Sequence, residues 1–276
     1  MDKWIWQNEQ EIDYITIPHW REQGVIIAFT ARQGGVSSPP YQSLNMALHV
    51  GDQAELVWAN RKRLAGIWDL SLEQMVCCQQ IHGSQVACVN SEMAGLGAKD
   101  YGTSIPGVDA LTTDQTGIIL ATFYADCLPI FYFDPRQRVV GIAHSGWKGT
   151  MGRIAVKAVN TMVQVYGSKV EDLEVFIGPG IGPCCFQIQA DLGQKVCAAF
   201  PEFDVIMYRN SEIFWDLSLT NRKILEQIGI EPDKILECGL CTSCNTDRFF
   251  SYRRENGKTG RMMAAIGLQQ WGRYSG

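Results

Sequence analysis

Short apolar runs and amphipathic stretches follow one another along most of the chain. Residues Gly24 to Thr30 (GVIIAFT) form an uninterrupted apolar run that predicts a buried strand, and the glycines and prolines between Gly34 and Pro40 predict a loop after it. Between 53 and 70, Leu56, Trp58, Leu64, Ile67 and Trp68 recur at roughly helical intervals and predict a helix. Strands are predicted near 75–80, 85–89, 117–124, 129–133 and 138–144, the last three consecutive and separated only by Asp126 to Pro129 and by Asp134-Pro135. Gly149 opens a second predicted helix, with Ile154, Ala158, Met162 and Val165 on one face and Gly167 as its stop. A strand over 173–177 ends at Gly178-Pro179-Gly180, and helices near 187–199 and 217–228 precede a final set of short strands. Strands and helices do not alternate one for one, so the order predicts an α/β (α+β mixed) fold: a mixed β-sheet with helices packed on it, in a single compact domain over 1–276.

The chain of 276 residues is 46% hydrophobic and 19% charged, enough apolar material for a sizeable core. Its net charge is -5 and no block of Lys and Arg stands out, which argues against nucleic-acid or membrane partners but allows a small anionic ligand. The N-terminus lacks a basic start followed by an apolar run, and no stretch approaches the roughly 18 apolar residues of a spanning helix, so a cytoplasmic location is expected. Ten cysteines in a chain of this length are expected to be reduced thiols rather than a disulfide framework. The oligomeric state is left open.

Among only four histidines, His82 and His144 each sit where an apolar strand runs into a Gly-containing turn, and Cys127 occupies the same kind of position before Pro129. A His2Cys set converging on one ion leaves a tetrahedral position open, as in a catalytic zinc site. Spacings of 45 and 17 residues are not themselves a ligand motif, and satisfied polar residues at strand ends are the alternative. The x2 spacing of Cys241 and Cys244 suits zinc better but has no evident second half, because Cys184-Cys185 is not a CxxC and no histidine is near; thiols without a metal are the expectation there.

The strings Thr30-Ala-Arg-Gln-Gly-Gly-Val-Ser37, Ser43-Leu-Asn45, His49-Val-Gly-Asp52, Gln80-Ile-His-Gly83, Ala125-Asp-Cys-Leu-Pro129, Ala143-His-Ser-Gly-Trp-Lys-Gly149, Gly178-Pro-Gly-Ile-Gly-Pro183 and Phe249-Phe-Ser-Tyr-Arg-Arg254 resemble, in order, those of the YfiH/YlmD family. Its members are described both as polyphenol oxidase (laccase domain) proteins and as purine nucleoside phosphorylases. The resemblance implies a single α/β domain and a zinc, or copper in the oxidase description, on His82, Cys127 and His144. It also implies phosphorolysis of adenosine, inosine, guanosine and methylthioadenosine to base and (methylthio)ribose 1-phosphate, together with adenosine deamination. Purine nucleosides and inorganic phosphate would then be the partners, with Cys127 and His82 at the reacting centre and Asn45 among the substrate-binding residues. Lys148 stands where Arg is common in the family and Gln187 where Glu is common; Lys keeps the charge but loses bidentate geometry.

Residue chemistry weighs these labels. A multicopper oxidase needs many imidazoles, and four histidines do not supply them. A single His2Cys copper with a long axial Met would transfer electrons, and nine methionines leave that reading open. Deamination needs a metal-activated water and a proton-shuttling carboxylate, yet His82 is followed by Gly83-Ser84, where the usual zinc deaminases carry Glu in H-x-E. Asp126 is the nearest carboxylate, although strict strand alternation would turn it away from Cys127. Phosphorolysis needs cations for the anion, and Arg32, Arg61, Lys148, Arg253, Arg254 and Arg261 are the candidates, Arg32 for its glycine neighbours and Arg253 for its aromatic ones. A cysteine-dependent hydrolase using Cys127 and a non-catalytic metal-binding protein remain alternatives.

Overall fold

The computed structural model of the chain describes residues 3–269. In chain order the strands and helices are β1 (Ile5–Glu9), β2 (Ile12–Thr16), α1 (Pro18–Glu22), β3 (Val25–Thr30), α2 (Ala54–Gly66), β4 (Met75–Cys77), β5 (Val86–Cys88), β6 (Ala110–Thr113), β7 (Ile119–Tyr124), β8 (Leu128–Asp134) and β9 (Val139–Ser145). They continue as α3 (Trp147–Met151), α4 (Ile154–Tyr166), β10 (Glu174–Ile177), β11 (Gln187–Ile188), α5 (Ala190–Ala199), β12 (Ile206–Arg209), β13 (Glu212–Trp215), α6 (Leu217–Gln227), β14 (Ile235–Glu237) and β15 (Met262–Leu268).

The strands form two six-stranded sheets, ordered β1-β2-β3-β15-β7-β4 and β14-β10-β8-β9-β6-β5, and a small sheet β11-β13-β12. Both large sheets mix parallel and antiparallel pairs. They stack face to face, and each covers its outer face with helix or loop. Along β7, Leu120 and Tyr124 point into the layer between the sheets while Ile119, Ala121 and Phe123 point outward; along β8, Phe131 and Phe133 point inward and Ile130 and Tyr132 outward. Both faces of these strands are buried, which is why their sequences read as continuous apolar runs. The sequence predicts the runs but not that they divide between two sheets, because pairing partners lie far apart along the chain.

Ile154, Ala155, Ala158, Val159 and Met162 of α4 pack on the outer face of the second sheet with Leu217, Ile224 and Leu225 of α6. The helix expected from Gly149 is two pieces, since Arg153 (φ 54°) interrupts it, and Val165 faces solvent; Gly167 (φ 73°) ends α4 as expected. The helix expected over 187–199 starts at Ala190, after a short strand.

Helix α2 stops at Gly66 and buries Val57, Asn60, Arg61, Leu64 and Ala65; of the predicted apolar positions Leu64 is buried and Trp58, Ile67 and Trp68 pack half-buried against the core. Its polar members organise the loop over 31–53. Asn60 donates to the Ser43 and Asn45 carbonyls and accepts from the Val36 N–H. Arg61, an anion-binding candidate by sequence, is 1% exposed and donates to the carbonyls of Met46 (2.8 Å), Gly97 (2.8 Å) and Ala98 (2.7 Å), with its guanidinium over the Phe123 ring. It is a structural arginine. No described helix is long and apolar enough to cross a membrane.

Replacing Arg61 by Met would orphan three buried carbonyls, each costing about 1–3 kcal/mol. We expect Arg61→Met to lower the free energy of unfolding by about 3 kcal/mol or more in urea titration; a loss under about 1 kcal/mol would contradict the role assigned to it.

Candidate metal centre and cavity

Two crossings from the first sheet to the second build the site. The chain leaves β7 at Tyr124, bends through 125–127 and enters β8 at Leu128; it leaves β4 at Cys77 and enters β5 at Val86. Cys127 lies on the first crossing and His82 on the second, while His144 sits near the end of β9, paired with Pro129 of β8. The ligand atoms of His82, Cys127 and His144 all lie within 4.8 Å of one another. The bends at 125–127 end the strand alternation, so Asp126 and Cys127 both line the cavity that opens here.

Asp109, one residue before β6, is fully buried and organises all of this. Its carboxylate accepts the backbone N–H groups of Ile81 (3.2 Å), His82 (2.9 Å) and Gly83 (2.6 Å), holding His82 at φ 60°, a conformation that a non-glycine residue seldom adopts. The same carboxylate binds His144 Nδ1 at 2.8 Å. That leaves His144 Nε2 to face Cys127. On the other side of β9, Ser145 bonds Asn221 of α6, which donates to Thr150 of α3, fixing the strand end. Gly146 permits the close approach, since a Cβ there would stand 2.7 Å from Cys127 Sγ.

Burial opposes the Cys127 thiolate, but His144 and His82 outweigh it and bring the thiol down to about 6. Burial likewise opposes the His144 imidazolium, yet Cys127 and Asp109 carry it up to about 9. The chemistry of this donor set, a thiolate with two imidazoles of which one is backed by a carboxylate, fits a divalent zinc-like ion.

The cavity measures about 500 Å³, a size suited to a small organic ligand. Its wall carries His49, Phe123, Trp147, Phe186, Tyr252, Arg253 and Arg261 in addition to the three donors and Asp126. Arg261 lies beside the Tyr252 ring and spends both of its side-chain hydrogen bonds through Nη1, on the Thr259 and Gly260 carbonyls. Arg253 Nη1 donates to the Cys185 carbonyl. Asp126 accepts from Thr242 Oγ1 (2.6 Å) and from the Arg253 N–H (2.9 Å).

Other expected site residues lie elsewhere. Arg32 does not line the cavity; it donates to the carbonyls of Gln42, Thr246 and Phe249 and pairs with Glu255 at 3.1 Å, so its donors join loops. Asn45 is buried and accepts the Arg261 backbone N–H, which makes it a support for Arg261. Lys148 is exposed, lies over the Trp147 ring and is outside the cavity wall. Cys184-Cys185, read by sequence as no partner for Cys241 and Cys244, comes together with them. Asp109 had no signal beyond an acidic residue before an apolar run. His49 stood in a family string without a role, and the structure puts it at the cavity.

A family model described as "Multi-copper polyphenol oxidoreductase laccase" matches residues 26–269. The chain belongs to this family. It is 40% identical over 250 residues to a protein of Geobacillus stearothermophilus called purine nucleoside phosphorylase YlmD, covering 90% of this chain and 91% of that protein. Human purine nucleoside phosphorylase LACC1 is 31% identical over 96% of this chain, which spans 63% of the human protein. Among solved structures, YlmD from Geobacillus stearothermophilus superposes with a TM-score of 0.91 at 38% identity, covering 97% of this chain and 100% of that one. A Bacillus licheniformis YfiH structure gives 0.89 at 37% identity, with 93% and 96% covered. The laccase-domain fold thus accounts for nearly the whole chain, and the relatives it resembles carry the name purine nucleoside phosphorylase.

Because Asp109 orients both histidines, Asp109→Asn is expected to weaken zinc binding at the cavity by about 10–100-fold in chelator competition. An unchanged affinity would remove Asp109 from the site.

Proposed function

We propose that the chain is a zinc-dependent purine nucleoside phosphorylase, acting on adenosine, inosine, guanosine and methylthioadenosine, with adenosine deaminase activity in the same cavity. The observation that carries this reading is the convergence on one cavity of three metal-ligating side chains, two arginines and several aromatic rings. His82, Cys127 and His144 would hold the ion, which when bound supplies Lewis acidity to the oxygen or nitrogen it meets.

In phosphorolysis a phosphate oxygen bonds to C1′ as the C1′–N9 bond breaks; the base leaves with the electron pair and takes up a proton, giving free base and ribose 1-phosphate. Arg253 and Arg261 are the cavity's cations, and they would bind the phosphate and hold it against C1′. Tyr252, Phe186, Phe123 and Trp147 offer faces for the purine. Asp126 holds the Arg253 backbone, and it is the only carboxylate on the cavity wall among the described residues. That position recommends it for proton transfer in deamination, where water adds at C6 and ammonia leaves.

No methionine lines the cavity among the described residues, so the axial Met expected for an electron-transfer copper is not on its wall. The hydrolase reading has one specific support, the alignment of Cys127, His144 and Asp109 as thiol, imidazole and carboxylate. The second imidazole, His82, favours the metal. Ten cysteines in a chain long enough for its own core suit a reducing compartment, which supports a cytoplasmic location.

Base release from inosine should require inorganic phosphate and yield ribose 1-phosphate, and Arg261→Gln should raise the phosphate KM about 10–100-fold, the loss of a charge-assisted hydrogen bond or two. Free ribose in phosphate-free buffer, or an unchanged phosphate KM, would contradict the reading. Chelation should abolish adenosine deamination and added zinc restore it, with no covalent Cys127 intermediate in mass spectra; a trapped Cys127 adduct would establish the hydrolase instead.

A further inference from the structure

Away from the donors of the cavity, Cys184, Cys185, Cys241 and Cys244 place their four sulfurs within 4.8 Å of one another. Cys244 Sγ stands 3.5 Å from that of Cys184 and 3.4 Å from that of Cys185. Four thiolates bound about 2.3 Å from one tetrahedral ion would have sulfurs about 3.8 Å apart, so the cluster is already near the required size. We propose that these four cysteines form a second, structural zinc site, closed by four thiolates and separate from the His82, Cys127, His144 centre.

Two tight turns present the sulfurs. The N–H groups of Cys185 and Phe186 bond the Gly182 carbonyl, and those of Cys244 and Asn245 bond the Cys241 carbonyl. Donors also aim at the sulfurs themselves, the Gly182 N–H at Cys241 Sγ (3.2 Å) and Arg254 Nη2 at Cys185 Sγ (3.9 Å). Four thiolates on a divalent ion carry two excess negative charges, and donors of this kind offset them as a second sphere does. A tetrahedral set of four sulfurs selects zinc or iron, and a closed mononuclear site with no open position is the structural form of zinc.

The ion would clasp two segments that build the cavity wall. One, near 180–188, carries Ile181 and Phe186; the other, near 238–254, carries Tyr252 and Arg253. Among the described residues, one bridge between Gly180 and Cys241 pairs their backbones beside the cluster, the Gly180 N–H bonding the Leu240 carbonyl and the Thr242 N–H the Gly180 carbonyl. A metal there would fix the wall without touching substrate, and the assignment does not depend on the reaction proposed for the cavity.

The test uses full-length His144→Ala protein, prepared under reductant, so that the cavity centre is disabled. It should retain one equivalent of zinc in native mass spectrometry. Exchange with cobalt(II) should give the intense sulfur-to-cobalt charge-transfer bands of a four-thiolate site. Adding Cys184→Ser or Cys244→Ser, both at exposed positions, should lower zinc affinity more than the about 10–100-fold cost of a lost second-sphere partner. Absence of bound zinc in the His144→Ala protein, a cobalt spectrum without thiolate bands, or disulfides among the four cysteines under reductant would overturn the proposal. Loss of zinc from the cavity centre alone, in otherwise intact protein, would instead count against the proposed function and leave this site standing.

Discussion

One buried carboxylate sets the geometry on which the candidate centre depends. Asp109 accepts three consecutive backbone N–H groups from 81–83 and the Nδ1 of His144, so a single side chain holds the His82 turn and the His144 ring in fixed relation. Carboxylates that back a metal-binding imidazole fix its tautomer and raise its basicity. Here the same group also satisfies a left-handed turn that would otherwise leave three amides unpaired in a half-buried place. The 81–83 loop and the His144 ring therefore share one anchor.

The sandwich explains why the donors meet at all. β4 and β7 are parallel neighbours in the first sheet, and the chain leaves each of them at the same end to cross into the second. Loops that cross side by side bring His82 and Cys127 together over the end of β9. β15, paired to β7, starts directly after Arg261 and so delivers that cation to the same end. Asn45 steadies it, and Asn60 of α2 steadies Asn45. Support for the cavity thus extends through polar side chains buried in α2.

Much of this was legible from the residues. The buried strands were, because fully covered strands are apolar throughout; the meeting of His82, Cys127 and His144 was suggested only weakly by their places near strand ends and more firmly by the family strings. Division into two sheets was not, since it depends on long-range pairing that periodicity does not encode. Arg32 and Arg61 illustrate a related limit: an arginine beside glycines or on a helix has the same appearance whether it binds an anion or a set of carbonyls. The four-cysteine cluster was half visible as Cys241 and Cys244. Its other half is an adjacent pair that fits no spacing rule and becomes a partner only when two loops fold side by side.

Diffraction at the zinc absorption edge, from crystals grown with phosphate and a purine C-nucleoside that cannot be cleaved, tests the account most directly. It predicts an anomalous peak between His82, Cys127 and His144, the purine against the aromatic wall of the cavity, and phosphate between Arg253 or Arg261 and C1′. A cavity without that peak, or nucleoside and phosphate bound away from it, would contradict the account.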